Sequence, residues 1–156
     1  MHHALPWPLL SQLLTTLPLC GVIWMVQLVV YPQFANVGAD QFARYHRFHS
    51  SRITLIVAPL MLGEIMGAAA MVMQAQSRHA IDGGGGLGWA LLGLSLAITA
   101  WALTGLVAVP AHNVLARGFT GEAYRRLMFA NVARTLVWSA RAGLVGYWLV
   151  ASQGVA

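Results

Sequence analysis

This chain of 156 residues has few charged residues: they make up only 8% of the sequence, and all nine basic residues are arginine. In soluble domains, about a quarter of the residues are charged. Hydrophobic residues account for 58% of this sequence. The shortage of charge excludes a solvated globular domain, a disordered tail and a nucleic-acid-binding module. The composition predicts an integral membrane protein whose first partner is the lipid bilayer.

The chain also lacks the short motifs of several enzyme and transporter classes. Its single cysteine, Cys20, lies in an apolar run and excludes an intramolecular disulfide bond. There is no glycine-rich phosphate loop, no Cys-x-x-Cys motif and no Gly-x-Ser-x-Gly motif. No internal repeat of transporter size is present. Any chemistry therefore depends on polar residues outside these motifs.

Four stretches are apolar enough to cross a bilayer core, which takes about 20 helical residues. They cover about residues 9–31, 53–73, 87–109 and 135–151. We therefore predict that the chain, 1–156, is a single all-α domain, an integral membrane four-helix up-and-down bundle. Four consecutive glycines at 83–86 form the expected turn between the second and third spans. Residues 40–50 and 121–130 are predicted to be separate short amphipathic helices on the headgroups.

Prolines and glycines predict local features of these spans. Pro18 and Pro59 fall inside spans and are expected to kink them, and Pro110 is expected to end or bend the third. Gly63 and Gly67 have the spacing that lets two membrane helices approach closely.

The arginines predict the orientation of the bundle. The two segments that join spans one to two and three to four are rich in arginine, whereas the opposite side has only Arg78. The positive-inside rule then places both joining segments in the cytoplasm and both termini outside it, most simply in a bacterial inner membrane. The arginines concerned are Arg44, Arg47, Arg52, Arg117, Arg125, Arg126 and Arg134.

Three histidines stand near the predicted cytoplasmic end. His46 and His49 are three residues apart, which places them on one face of a helix, and His112 follows the third span. Such imidazoles can act as acid–base groups on a substrate or bind a copper ion, an iron ion or haem. We predict that His46, His49 and His112 are catalytic, with Arg134 beside them. Metal ligation by the three histidines, and whether they meet at all, stays open.

Glu64 and Arg141 are the charged residues inside the second and fourth spans, at similar depths. An unpaired charge at that depth costs at least about 2.5 kcal/mol on insertion scales. The sequence therefore predicts an ion pair inside the bundle. A structural clamp and the floor of a substrate cavity are both compatible with it.

One face of the fourth span carries Asn131, Arg134, Trp138 and Arg141 at helical spacing, and cannot face lipid. Tyr31 belongs to a similar face of the first span. Two such faces predict a cavity that opens to the cytoplasm, although Tyr31 also suits an interfacial aromatic belt. The predicted substrate contacts are Gln27, Tyr31, Arg52, Glu64, Asn113, Asn131, Trp138 and Arg141.

The second half resembles the anthrone oxygenase-like family of small four-span membrane proteins, many of which have no assigned activity. The likeness is carried by residues 110–118 (PAHNVLARG), 131–135 (NVART) and Trp138. It covers about 40 residues at the level of a pattern. It implies oxidation of a lipophilic, aromatic-type substrate by dioxygen, with Asn113, Asn131 and Arg134 as polar pocket residues.

Three functions remain open from the sequence. The first is a membrane-embedded oxidoreductase or oxygenase that acts on a lipophilic small molecule, with the arginines stabilising developing negative charge. The second is a haem- or copper-binding electron-transfer or assembly subunit. The third is a non-catalytic membrane partner subunit whose polar interior only fixes the packing. The sequence also leaves open whether the chain forms a homo-oligomer.

Overall fold

The computed structural model describes residues 6–82 and 86–153, and 93% of these residues are helical, with no strand among them. They form four long helices: α1 (Trp7–Phe34), α2 (Ala39–Asp82), α3 (Gly86–Leu115) and α4 (Gly121–Gln153). Helix α1 packs against α2 and α4, and α3 packs against the same two helices. The all-α prediction is confirmed. Most of the predicted turn at 83–86 lies outside the described residues.

Helices α1, α2 and α3 are long and apolar enough to cross a membrane. Helix α4, which contains the predicted fourth span, is not among them. Arg141 lies in the middle of that span, together with small and aromatic residues that lower its hydropathy.

The two short amphipathic helices predicted at 40–50 and 121–130 are not separate, so that prediction is wrong. Each is the first part of a long helix, α2 or α4, because neither junction contains proline or glycine. Serine and threonine side chains at the α2 junction bond back within the helix. Ser51 Oγ donates to the Phe48 carbonyl at 2.9 Å, and Thr54 Oγ1 donates to the Ser50 carbonyl at 2.7 Å.

Helices α1 and α3 each contain a wide π-helical turn, at Val26–Val30 in α1 and at Thr104–Ala108 in α3. Each precedes a proline, Pro32 or Pro110, whose ring would collide with the carbonyl four residues earlier in a regular helix. A wide turn removes that conflict, so the chain continues helically beyond the proline. The third helix therefore does not end at Pro110.

The interior of the four helices contains polar side chains among apolar ones, and much of the surface is apolar. Eight polar or charged side chains of the described residues are buried, whereas many large apolar side chains are exposed, among them Leu106 at 77% and Met66 at 70%. The predicted close approach at Gly63 and Gly67 is confirmed, because a Cβ at Gly63 would lie 3.0 Å from Thr15 Cγ2 of α1.

The apolar part of the interior forms two clusters. We call the first the end cluster, since it lies beside the segments that join α1 to α2 and α3 to α4. The middle cluster lies farther along the helices. The end cluster consists of Val26, Tyr31, Phe34, Phe42, Ala108, Ala111, Leu115, Ala123, Leu127 and Ala130, and the middle cluster of Leu19, Ile23, Met61, Ala100 and Trp138.

Candidate functional site

The three histidines come together in the fold. His46 and His49 lie on α2, and the ring centroids of these residues are 5.1 and 6.5 Å from that of His112 on α3. They meet because α2 runs unbroken through Ser50 and Ser51, which keeps its first turns beside the end of α3. Tyr31 of α1 completes the group, with its ring centroid 5.9 Å from that of His112.

Hydrogen bonds connect three of these side chains in a row. The Tyr31 hydroxyl lies 3.0 Å from His112 Nε2, and His112 Nδ1 lies 3.0 Å from His46 Nε2. A neutral imidazole has one donor and one acceptor nitrogen, so a row of this kind can reverse its direction by passing one proton along each bond. We call Tyr31, His112 and His46 the relay. At its far end, His46 Nδ1 is buried and has no hydrogen-bond partner, so the relay can take a proton from a ligand at Tyr31 and return it there.

The geometry does not support the predicted metal or haem site. His46 Nε2 and His112 Nδ1 face each other at hydrogen-bond distance. Across residues 6–82 and 86–153, no group of three or more His, Cys, Asp or Glu side chains could hold a metal ion.

A cavity of about 260 Å³ lies beside the relay, between the end cluster and the middle cluster. Tyr31 and His112 of the relay line it, together with Thr104 of α3 and Arg134 of α4. Its other walls are mostly apolar, and they are formed by Leu19, Val22, Ile23, Val26, Ile53, Thr54, Val57, Ala58, Met61, Trp101, Ala108, Val109 and Trp138.

Arg134 is the positive charge in the cavity wall, and it is only 6% exposed. Its Nη1 donates to Thr104 Oγ1 at 3.2 Å and its Nη2 to Asn131 Oδ1 at 2.9 Å. The guanidinium also stands over the Trp138 ring, 5.9 Å from the centroid. In the part of the chain that the structure describes, no carboxylate pairs with Arg134, and its buried Nε has no hydrogen-bond partner.

Arg141 and Glu64 form the predicted ion pair, with Arg141 Nε donating to Glu64 Oε1 at 2.7 Å. All four helices contribute to this group, which we call the clamp. Trp138 Nε1 donates to both carboxylate oxygens at 3.1 and 3.0 Å, and Thr16 donates to Oε1 at 3.2 Å. Arg141 also donates to the Gly93 carbonyl and to Gln12 Oε1. Glu64 and Arg141 do not line the cavity, so the geometry favours the structural clamp.

The other predicted contacts divide into two kinds. Gln27 and Asn131 support the cavity wall, because Asn131 Nδ2 donates to Gln27 Oε1 at 2.8 Å while Asn131 Oδ1 holds Arg134. Arg52 and Asn113 are exposed and do not line the cavity. Arg52 stands over the Phe48 ring instead, 5.3 Å from its centroid. Tyr31 is 2% exposed, so its assignment to an interfacial belt is wrong.

Sequence reasoning missed the threonines of the cavity wall. Thr104 holds Arg134, and the only signal for it is its position two helical turns before His112 on the same face of α3. Thr54 gives no such signal. His49 was expected to act with the other histidines, but it does not line the cavity.

No protein-family model, no curated protein and no solved structure matches this chain.

Proposed function

We propose that this chain is an integral membrane enzyme of the oxidoreductase or oxygenase class that acts on a lipophilic substrate in the cavity. One observation carries the proposal: Arg134, buried and without a carboxylate partner among the described residues, lies in the wall of an otherwise apolar cavity. Burying a charge without a partner is costly. The cost is offset when a ligand brings an electron-rich oxygen to the guanidinium. The expected ligand is therefore apolar, with a carbonyl, phenol or enolate oxygen at one end.

The surface supports placement in a bilayer. Large apolar side chains point outward from all four helices, while the charged side chains of Glu64, Arg134 and Arg141 are buried inside. This is the reverse of the arrangement that water favours. With the arginine-rich joining segments in the cytoplasm, both termini lie outside it, and the relay stands at the cytoplasmic end. A bacterial inner membrane fits this orientation.

The relay supports proton abstraction as the first chemical step. The Tyr31 hydroxyl and His112 Nε2 stand together at the cavity wall, and His46 receives or returns the proton through His112 Nδ1. A carbon that is next to a carbonyl group, or conjugated with it through an aromatic ring, loses a proton more readily when the resulting enolate oxygen is stabilised by a cation. Arg134 is suited to that role, since it lines the same cavity as Tyr31 and His112.

Dioxygen is the oxidant that we propose, in agreement with the resemblance to the anthrone oxygenase-like family. For a methylene group conjugated with a carbonyl through an aromatic ring, as in anthrone, the balanced reaction is CH2 + O2 → C=O + H2O. Two C–H bonds break, one oxygen atom becomes the new carbonyl oxygen, and the other leaves as water. The protein supplies the base for the first proton and the cation for the negative charge.

Oxidation of anthrone to anthraquinone by the protein in lipid nanodiscs tests this proposal, with absorbance and oxygen uptake as the readouts. We expect His112→Gln to lower the rate above the protein-free background by about 10²- to 10⁴-fold, the usual contribution of an acid–base group. The matched control is His79→Gln, which replaces an exposed histidine that does not line the cavity. A wild-type rate equal to that of protein-free nanodiscs would contradict the oxygenase proposal.

A further inference from the structure

The size of the cavity limits which part of a ligand it can hold. An apolar cavity of about 150 Å³ binds benzene, whereas sites that enclose whole drug-sized molecules have volumes of about 300–1,000 Å³. The cavity beside Arg134 has a volume of about 260 Å³. It therefore accommodates a fused-ring head with its oxygen substituents but not a long hydrocarbon chain in addition.

The walls of the cavity differ in their exposure. On α1 and α4, the lining residues Leu19, Val26 and Trp138 are all 3% exposed or less. On α2 and α3, by contrast, the lining includes the exposed Thr54, as well as Val109, which is 46% exposed. The cavity therefore reaches the surface between α2 and α3. We call this opening the side portal.

The end cluster closes the cavity toward the histidine end of the bundle. Phe34, Phe42, Leu115 and Leu127 of this cluster are all 0% exposed. The opening toward the cytoplasm that the sequence predicts is therefore blocked by packed side chains. On the other flank of the side portal, Trp101 of α3 donates its indole N–H to the Met61 carbonyl of α2 at 3.4 Å.

The surface around the side portal is apolar. Leu55 and Ile56 follow Thr54 on α2 and are 68% and 52% exposed, and Leu106 on α3 is 77% exposed. A hydrocarbon chain is the chemistry that such a surface favours, since each buried methylene group contributes about 0.8 kcal/mol. In a bilayer, the same surface faces the lipid chains.

Resting on the proposed function, we infer that the substrate is a tailed amphiphile: an oxygen-bearing ring head lies in the cavity, and its hydrocarbon tail leaves through the side portal between α2 and α3. The head then reaches Tyr31, His112 and Arg134, while the tail lies along Thr54 and Val109. The substrate enters from the membrane, not from the cytoplasm.

Binding of anthraquinone, and of an anthraquinone that carries a decyl chain, tests this inference in lipid nanodiscs. Quenching of tryptophan fluorescence reports binding, because Trp101 and Trp138 line the cavity. Thr54→Phe fills the side portal. We expect it to raise the Kd of the decyl compound about tenfold, the effect of about two methylene groups losing their contact with the portal. We expect it to raise the Kd of anthraquinone less than about threefold.

Thr99→Phe is the matched control. Thr99 is also an exposed helical threonine that donates to the carbonyl four residues earlier, at 2.9 Å, but it does not line the cavity. We expect it to leave both Kd values unchanged. Val109→Phe, from the opposite side of the portal, reproduces the effect of Thr54→Phe without relying on the same helix.

The outcomes separate this inference from the proposed function. If Thr54→Phe and Val109→Phe weaken both compounds equally, or neither of them, the side portal is wrong while the cavity site stands. If wild-type protein binds neither compound, the proposed function and the tailed substrate are both overturned. Unchanged binding of anthraquinone in the variants also shows that they are folded.

Discussion

Two buried arginines on the same face of α4, Arg134 and Arg141, have opposite surroundings. Both are hidden from solvent, at 6% and 1% exposure. Arg141 pairs with Glu64 and donates to groups from two further helices, so its charge is fully compensated. Arg134 donates to Thr104 and Asn131, which are neutral, and no carboxylate among the described residues pairs with it.

The comparison shows that burial alone does not determine whether an arginine can bind a ligand. A buried ion pair in which each nitrogen and oxygen atom already has a hydrogen-bond partner has little capacity for a ligand. Removing one partner leaves the other charge buried and unpaired. A buried cation with only neutral partners, in the wall of a cavity, retains capacity for an electron-rich oxygen. Arg141 therefore holds the helices together, whereas Arg134 is the arginine that we propose to bind a substrate.

The largest effect on stability is expected from Arg141→Met. This variant leaves the Glu64 carboxylate buried without its cation, which costs about 3–5 kcal/mol. Unfolding of the purified protein in mild detergent, followed by circular dichroism, measures the change. The double variant Glu64→Gln/Arg141→Met is expected to recover part of the loss, because no unpaired charge remains. Equal stability of Arg141→Met and the wild type would contradict the clamp.

A smaller effect is expected from Trp138→Phe, because Trp138 contacts Arg134 through its ring and Glu64, the partner of Arg141, through its indole N–H. Phenylalanine keeps a ring beneath Arg134 but removes the indole N–H that both oxygens of Glu64 accept. We expect a loss of about 1–3 kcal/mol in the free energy of unfolding, the cost of a buried acceptor left without its donor.

Trp24→Phe is the matched control for this variant. It also removes an indole hydrogen bond, to Ser139 Oγ at 3.0 Å, but from an exposed side chain that contacts a neutral acceptor. Its expected effect is within about 0.5–1 kcal/mol. If the two variants were equally destabilised, the Glu64 carboxylate would not depend on Trp138.

The clamp was predictable from the sequence because its energetics are local and large. Two opposite charges at similar depths in apolar spans are most stable when they form an ion pair, and Glu64 and Arg141 form one. The inward face of α4 followed in the same way from the spacing of Asn131, Arg134 and Trp138, all of which are buried.

The relay and the side portal could not be predicted from the spacing of residues along a helix. Whether His46 reaches His112 depends on α2 continuing past Ser50 and Ser51, where a break was expected. Arg52 and Asn113 were assigned because they belong to the predicted cytoplasmic end, and the family resemblance also implied Asn113. A rotation of about 100° per residue directs each of them away from the cavity. The opening of the cavity depends on side-chain volumes at the α2–α3 contact.

The most direct test of the central claim is the binding of anthraquinone and anthracene to wild-type protein and to Arg134→Met in lipid nanodiscs. The two ligands share a three-ring skeleton, and only anthraquinone has carbonyl oxygens. If Arg134 binds a ligand oxygen, the variant raises the Kd of anthraquinone about 10- to 100-fold and leaves that of anthracene within about threefold, as expected for a lost charged hydrogen bond. An equal change for both ligands, or no change for either, would contradict the claim that Arg134 makes this cavity a substrate site.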